Sequence, residues 1–232
     1  MRSFAIVLVS LVCAAAFPHG AEADPEEDEG VWGLLLAQGS GKDLAPRLRR
    51  LYWWLEAQGR TRDGTDAEFD TAILRPGLGY EIFEDTTLWA GYGWFETFPA
   101  DGDRFEEHRL WQQLFWSKPL GTFAFSSRTR LEQRFVQGGD EAEWRFRQWI
   151  KLTYPLPHRT SLVLTEEVFV SLNSTDRGAT AGFDQTRLFL GVGYDLDACT
   201  RLEVGYLNQY INRSSGSDSM NHILAINVLL NF

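Results

Sequence analysis

Residues Asn221 to Phe232 read NHILAINVLLNF, and apolar side chains recur there at every second position. His222, Leu224, Ile226, Val228, Leu230 and Phe232 form one set; Asn221, Ile223, Ala225, Asn227, Leu229 and Asn231 form the other. A period of two belongs to a β-strand, whose successive side chains point to opposite faces. One face is almost wholly apolar and ends on an aromatic, while the other carries the asparagines. Such an apolar face is buried against a second sheet or against lipid. The rest of the chain decides which.

Upstream, the same rhythm repeats. The alternation predicts strands over Leu48–Gln58, Phe69–Ile82, Thr87–Phe98, Glu106–Ser117, Thr122–Val136, Glu143–Tyr154, Thr160–Leu172, Phe183–Leu196, Arg201–Asn212 and Asn221–Phe232. The breaks alternate in kind. Glu84-Asp85, Lys118–Gly121, Pro155–His158 and Asp197–Cys199 are tight; Gly59–Glu68, Pro99–Phe105, Gln137–Ala142, Asn173–Gly182 and Arg213–Met220 are longer and polar. Short turns at one end and long loops at the other mark an up-and-down barrel, whereas a Greek-key sandwich needs no such sorting. The strands exceed the five or six residues usual in soluble sheets and are long enough to cross a bilayer when tilted. The expected fold is therefore all-β: a transmembrane antiparallel barrel of about ten strands over residues 48–232, with both termini on the periplasmic side. The apolar run Val31–Gln38 stands outside this count; if it joins the wall, a further strand has to be found and the count becomes twelve.

Charge follows parity. In Thr122–Val136, Arg128, Arg130, Glu132 and Arg134 share one face, opposite Phe123, Phe125, Leu131 and Phe135, which lie with Ser127, Thr129 and Gln133. In Glu143–Tyr154, Glu143, Arg145, Arg147 and Lys151 oppose Trp144, Phe146, Ile150, Leu152 and Tyr154. Arg75 and Glu81, Arg187, and Arg201 and Glu203 likewise fall on the less apolar parity of their strands. A charge facing lipid at mid-membrane costs about 2–4 kcal/mol, so these side chains belong in a lumen. Two strands resist the sorting. Both parities of Glu106–Ser117 carry polar and aromatic residues, which leaves Arg109 and Trp111 without a face, and Glu166-Glu167 puts a carboxylate on each side.

The beginning of the chain fits the same destination. Arg2, the apolar run Phe4–Phe17 and Ala21-Glu22-Ala23 compose a secretory signal cleaved near Ala23, over residues 1–23. The run is too short to span a bilayer as a helix. Val12 precedes Cys13 where a lipid-anchored protein has a small residue, which disfavours lipidation. Residues 24–47 form an N-terminal segment, acidic and mobile over Asp24–Gly30, with the possible short strand Val31–Gln38. About 209 residues remain, with Cys199 the one cysteine, so no disulfide framework exists. Net charge is −10, with no basic stripe, which argues against nucleic acid. Sixteen Phe, nine Trp and seven Tyr in a chain only 44% hydrophobic suit a barrel, with Tyr80, Tyr92, Tyr154, Tyr194 and Trp116 placed for interfacial girdles.

Several stretches together resemble a known family. They are LRPGLGY (Leu74–Tyr80), GY (Gly91-Tyr92), EHRLWQQ (Glu107–Gln113), RTRLEQRF (Arg128–Phe135), WRFR (Trp144–Arg147), FDQTR (Phe183–Arg187), EVGYLNQ (Glu203–Gln209) and the final NH strand. This order is similar to that of the domain of unknown function 2490 family. The resemblance spans the mature chain and implies a signal-bearing outer-membrane barrel of a Gram-negative bacterium, with no established activity. Phe232 at the end of an alternating strand also resembles the signal read by the barrel assembly machinery. The expected partners are thus outer-membrane lipid and that machinery.

The candidate site is the lumen charge cluster: Arg75, Glu81, Arg128, Arg130, Glu132, Arg134, Arg145, Arg147, Arg187 and Glu203. Guanidinium forks match carboxylates and phosphates, so the cluster reads as an anion constriction, or as a ladder of ion pairs holding the wall together. A lumen little wider than the eight-stranded case, which side chains fill, favours the ladder. His108, His222 and Glu107 lack metal-binding spacing, and no nucleophile elbow occurs, so neither metal, cofactor nor catalytic residue is expected. The leading reading is a structural barrel or restricted pore. An outer-membrane lipid-modifying enzyme and a loop-based binding module are the alternatives.

Overall fold

The computed structural model describes residues 25–43, 45–62, 68–100 and 102–232; the expected signal segment lies outside them. Eleven strands close into a barrel. They are β1 (Glu26–Ser40), β2 (Leu51–Arg62), β3 (Glu68–Phe83), β4 (Thr86–Thr97), β5 (Phe105–Leu120), β6 (Phe123–Val136), β7 (Glu143–Pro155), β8 (Thr160–Ser171), β9 (Gly182–Asp195), β10 (Thr200–Ile211) and β11 (Ser219–Asn231). Each pairs antiparallel with the next, and β1 closes the ring by pairing parallel with β11, from Glu26↔Ser219 to Gln38↔Asn231. The expected strand after Arg47 begins later and runs further, because Pro46–Leu48 turn in a short 3-10 segment and the alternation Trp54, Glu56, Gln58, Arg60 continues past Gln58.

Among the described residues the wall holds eleven strands, between the expected ten and twelve. The segment set aside as Val31–Gln38 belongs to a full strand that begins at Glu26, inside the stretch expected to be mobile. Its sequence VWGLLLA is apolar on both parities, which hid the alternation. Its outer face carries Val31 and Leu35, while Trp32, Leu34 and Leu36 line the interior. The acidic start is tied to the loop before β11: Glu26 N donates to Asp218 O at 2.8 Å, and Arg213 pairs with Glu26 at 3.2 Å. Parallel closure removes the need for an even number. It also sends β1 toward the short-turn end alongside β11, so Glu26 stands at the long-loop end and not beside Phe232.

The tight turns carry their own local devices. Asp85, His158, Arg159 and Gly121 adopt positive φ, which reverses the chain in few residues. Asp197 accepts N–H bonds from Cys199 (2.8 Å) and Thr200 (2.9 Å), which hold its carboxyl below the usual range. At the same end the Phe232 N–H donates to Gln38 O (2.9 Å), and its ring stacks on Trp53 at 5.9 Å. Tyr80, Tyr154 and Tyr194 are exposed near this rim, with Phe123 against Tyr154 and Phe125 against Trp116. Tyr92 departs from the expected girdle: it sits at the middle of β4 and hydrogen-bonds His108 Nδ1 on the outer face.

The distribution of side chains inverts that of a soluble sheet protein. Leu78, Leu110, Leu164, Leu188, Leu190 and Leu224 are exposed outside, while Glu56, Arg75, Arg130, Glu132, Arg147 and Glu203 are buried inside. Only a lipid surround makes the first arrangement favourable, and only a closed ring satisfies every backbone group within it. The outer face has a few polar exceptions. Gln112 and Gln133 exchange two amide hydrogen bonds, at 3.1 and 3.0 Å, and Gln148 joins Thr129 and Ser127.

Candidate functional site

Parity brings β5, β6, β7 and β8 inward with their charged residues, and the register sets those residues at one height. Glu132 lies opposite Trp111 on β5 and Arg145 on β7, while Arg130 lies opposite Gln113 and Arg147. The Glu132 carboxylate is fully enclosed. One oxygen receives Arg147 at 2.7 Å and faces Arg130 at 3.5 Å; the other meets Arg145 at 3.0 Å and Arg109 at 3.5 Å. Arg130 donates twice to Gln113 Oε1 and lies over Trp111, 4.7 Å from the ring centroid.

The network spreads from this hub. Glu107 holds Arg109 and Arg134, each through two bonds, and Arg134 also reaches Glu143 at 2.5 Å. Glu167 takes Arg147 and Arg128, both at 2.7 Å. Glu56 takes Arg75 at 2.5 Å, and Glu203 takes Lys151 (2.6 Å) and Arg201 (2.8 Å). Phe169 lies beneath Arg147, and Phe95 lies 3.6 Å from the Arg109 guanidinium. Trp111 can cross the interior only because Gly77 and Gly91 face it; a Cβ at either would sit 2.4 or 2.3 Å from its ring.

Of the predicted cluster, Arg130, Glu132, Arg134, Arg145 and Arg147 join in this belt, Arg128 continues it through Glu167, and Arg75 forms a separate buried pair with Glu56. Glu203 of β10 pairs with Arg201 on its own strand and with Lys151 of β7, three strands away. Glu81 is set apart, opposite Thr87 near the short turns. Arg187 faces the lumen but has no carboxylate within 4.0 Å among the described residues. Arg60 and Trp32 were missed because they fall in an expected loop and in the set-aside segment. Arg109 and Trp111 were missed because Gln112 masked the parity of β5. The two histidines do not meet: His108 is on β5 and His222 on β11, each on the outer face and each stacked on a tyrosine, Tyr92 or Tyr206.

Cavities lie on both sides of the belt. Trp111, Gln113, Arg130, Glu132 and Phe169 are at most 1% exposed, so water does not reach their surfaces. On the long-loop side lies a cavity of about 320 Å³ bordered by Arg134, Glu143, Ser171 and Asp184. On the short-turn side lies one of about 430 Å³ bordered by Trp32, Arg60, Arg128, Arg187 and Phe189.

Fold and interior define a transmembrane-type β-barrel with a buried Arg/Glu network. The chain belongs to the family described as Protein of unknown function (DUF2490), whose model matches residues 29–221. An uncharacterized protein of Methylorubrum extorquens is 32% identical over 232 residues, covering 97% of both chains. Among solved structures, the chain is similar to a loop-deleted form of OmpT, an outer membrane protein of Vibrio cholerae: 12% identity, TM-score 0.40, 72% of this chain covered. It is also similar to an anion-selective porin from Comamonas acidovorans: 12% identity, TM-score 0.38, 75% of this chain covered. The chain spans 59% and 55% of the length of those two proteins.

Proposed function

We propose that this protein resides in the outer membrane of a Gram-negative bacterium as a barrel whose lumen is closed at mid-height, with the short turns toward the periplasm and the long loops outside. The observation that carries this reading is Glu132. Its carboxylate has no exposed surface and four guanidiniums around it, drawn from β5, β6 and β7. A wide aqueous pore keeps its lumen charges hydrated. Here they are spent on one another and on aromatic faces, which ties strands together and leaves no continuous water column beside them. The role that follows is that of a restricted barrel, a membrane-embedded wall with a chamber at each end.

Conductance tests it. The purified protein in planar bilayers is expected to show no steady open state in molar salt. Replacing Arg130 and Arg134 together by Ala removes two inward side chains of β6 from the belt and is expected to introduce conductance. A stable, ohmic open state in the unaltered protein would overturn the reading.

A further inference from the structure

The short-turn chamber carries charge that the belt does not use. Its lining includes six cationic groups, Arg60, Arg75, Arg128, Arg147, Lys151 and Arg187, against three carboxylates, Glu56, Glu167 and Glu203. Glu56 is taken by Arg75, Glu167 by Arg128 and Arg147, and Glu203 by Lys151. Among the described residues, no carboxylate pairs with Arg60 or Arg187. Arg60 donates to Gln58 Oε1 at 2.9 Å and Arg187 to Gln185 Oε1 at 3.2 Å, both neutral acceptors. The Nε of each is buried with no hydrogen-bond partner among the described residues.

Both guanidiniums lie over the same ring. Arg60 is 4.0 Å from the centroid of Trp32 and Arg187 is 4.9 Å from it. Two like charges gathered on one indole repel each other, and the aromatic face offsets only part of that cost. An anion bridging them would turn the repulsion into two charge-assisted contacts, using the donor forks that the neutral amides leave unfilled. Away from the arginines the chamber wall becomes apolar, with Leu36, Trp89, Phe189 and Leu207 among its lining. A fully polar anion would leave oxygens facing that wall without partners. A carboxylate on an apolar body satisfies both parts, and the chamber's volume falls within the range of small-molecule sites.

We propose that this chamber is a binding site for a small carboxylate with an apolar body, its head held by Arg60 and Arg187 beside Trp32 and its body against Leu36, Trp89, Phe189 and Leu207. The site deepens the closed-lumen reading, since the belt is its floor. The two still fail separately: conductance tests the floor, and binding tests the chamber.

Calorimetric titration of the folded, detergent-solubilised barrel with benzoate reads the site, with benzyl alcohol and inorganic phosphate as the uncharged and fully polar probes. Benzoate is expected to bind saturably at one site, and benzyl alcohol and phosphate to give no saturable heat. Arg60→Gln and Arg187→Gln are each expected to weaken benzoate about tenfold, and Arg187→Lys to recover part of the loss. Neither substitution removes an ion pair, so heat-modifiable migration of the folded barrel is expected to persist and serves as the folding control. Should one variant not fold, the other carries the test. No benzoate binding, equal binding by benzyl alcohol or phosphate, or benzoate affinity unchanged in both glutamine variants would overturn the proposal.

Discussion

At the scale of single residues, Glu132 is the group on which the interior turns. Burying a carboxylate is unfavourable unless its charge is matched, and here the matching comes from three neighbouring strands. Removing the charge while keeping the shape leaves Arg109, Arg130, Arg145 and Arg147 crowded without a shared counter-ion. Glu132→Gln is therefore expected to destabilise the barrel by about 3–5 kcal/mol, read from guanidinium unfolding in lipid vesicles. A change under about 1 kcal/mol, the scale of an exposed pair, would show that the hub is not structural. Most of this cluster was legible in the sequence, because Arg128, Arg130, Glu132 and Arg134 put four charges on one parity while Thr129, Leu131 and Gln133 between them are uncharged. Arg60 was not legible. Its strand continues through a glycine into residues that look like a loop, and only pairing with β1 and β3 keeps them extended.

Individual strands show why alternation fails where it does. In β5 the inward residues Glu107, Arg109, Trp111, Gln113 and Phe115 mix charge with aromatics, and the outward set contains Gln112. An amide facing lipid costs free energy unless its donors and acceptor are taken. Gln112 meets that condition by trading two hydrogen bonds with Gln133 of β6, so an amide can stand on the outer face of β5 and blur its parity. This pairing predicts a non-additive outcome. Gln112→Leu or Gln133→Leu alone leaves an unpaired amide in lipid and is expected to cost about 1–3 kcal/mol. The double variant, with two apolar side chains facing acyl chains, is expected to return to within about 1 kcal/mol of the starting stability. Vesicle unfolding curves for all four proteins give the coupling; additive losses would mean that the reciprocal pair does not form.

For the whole molecule, the decisive feature is the parallel seam between β1 and β11. The sorting of short turns from long loops was readable from the sequence and gave the ring its two ends. The strand count was readable to within one, and its odd parity was not, because the even-number expectation rests on an antiparallel closure that this chain does not use. Once β1 runs alongside β11, every later strand keeps its direction, but the start of β1 is carried to the end opposite Phe232. Glu26 is fixed there by its bond to Asp218 and its pair with Arg213, in the last long loop. If the long loops face outward, as proposed, the start of β1 lies at the cell-surface end of the wall rather than the periplasmic end. An epitope inserted immediately ahead of Pro25 is then expected to be labelled by antibody on intact cells, as is one placed in the 137–142 loop, whereas one placed in the 156–159 turn needs permeabilised cells. Labelling ahead of Pro25 only after permeabilisation, with the 137–142 loop still exposed, would break the parallel seam and restore an even-numbered wall.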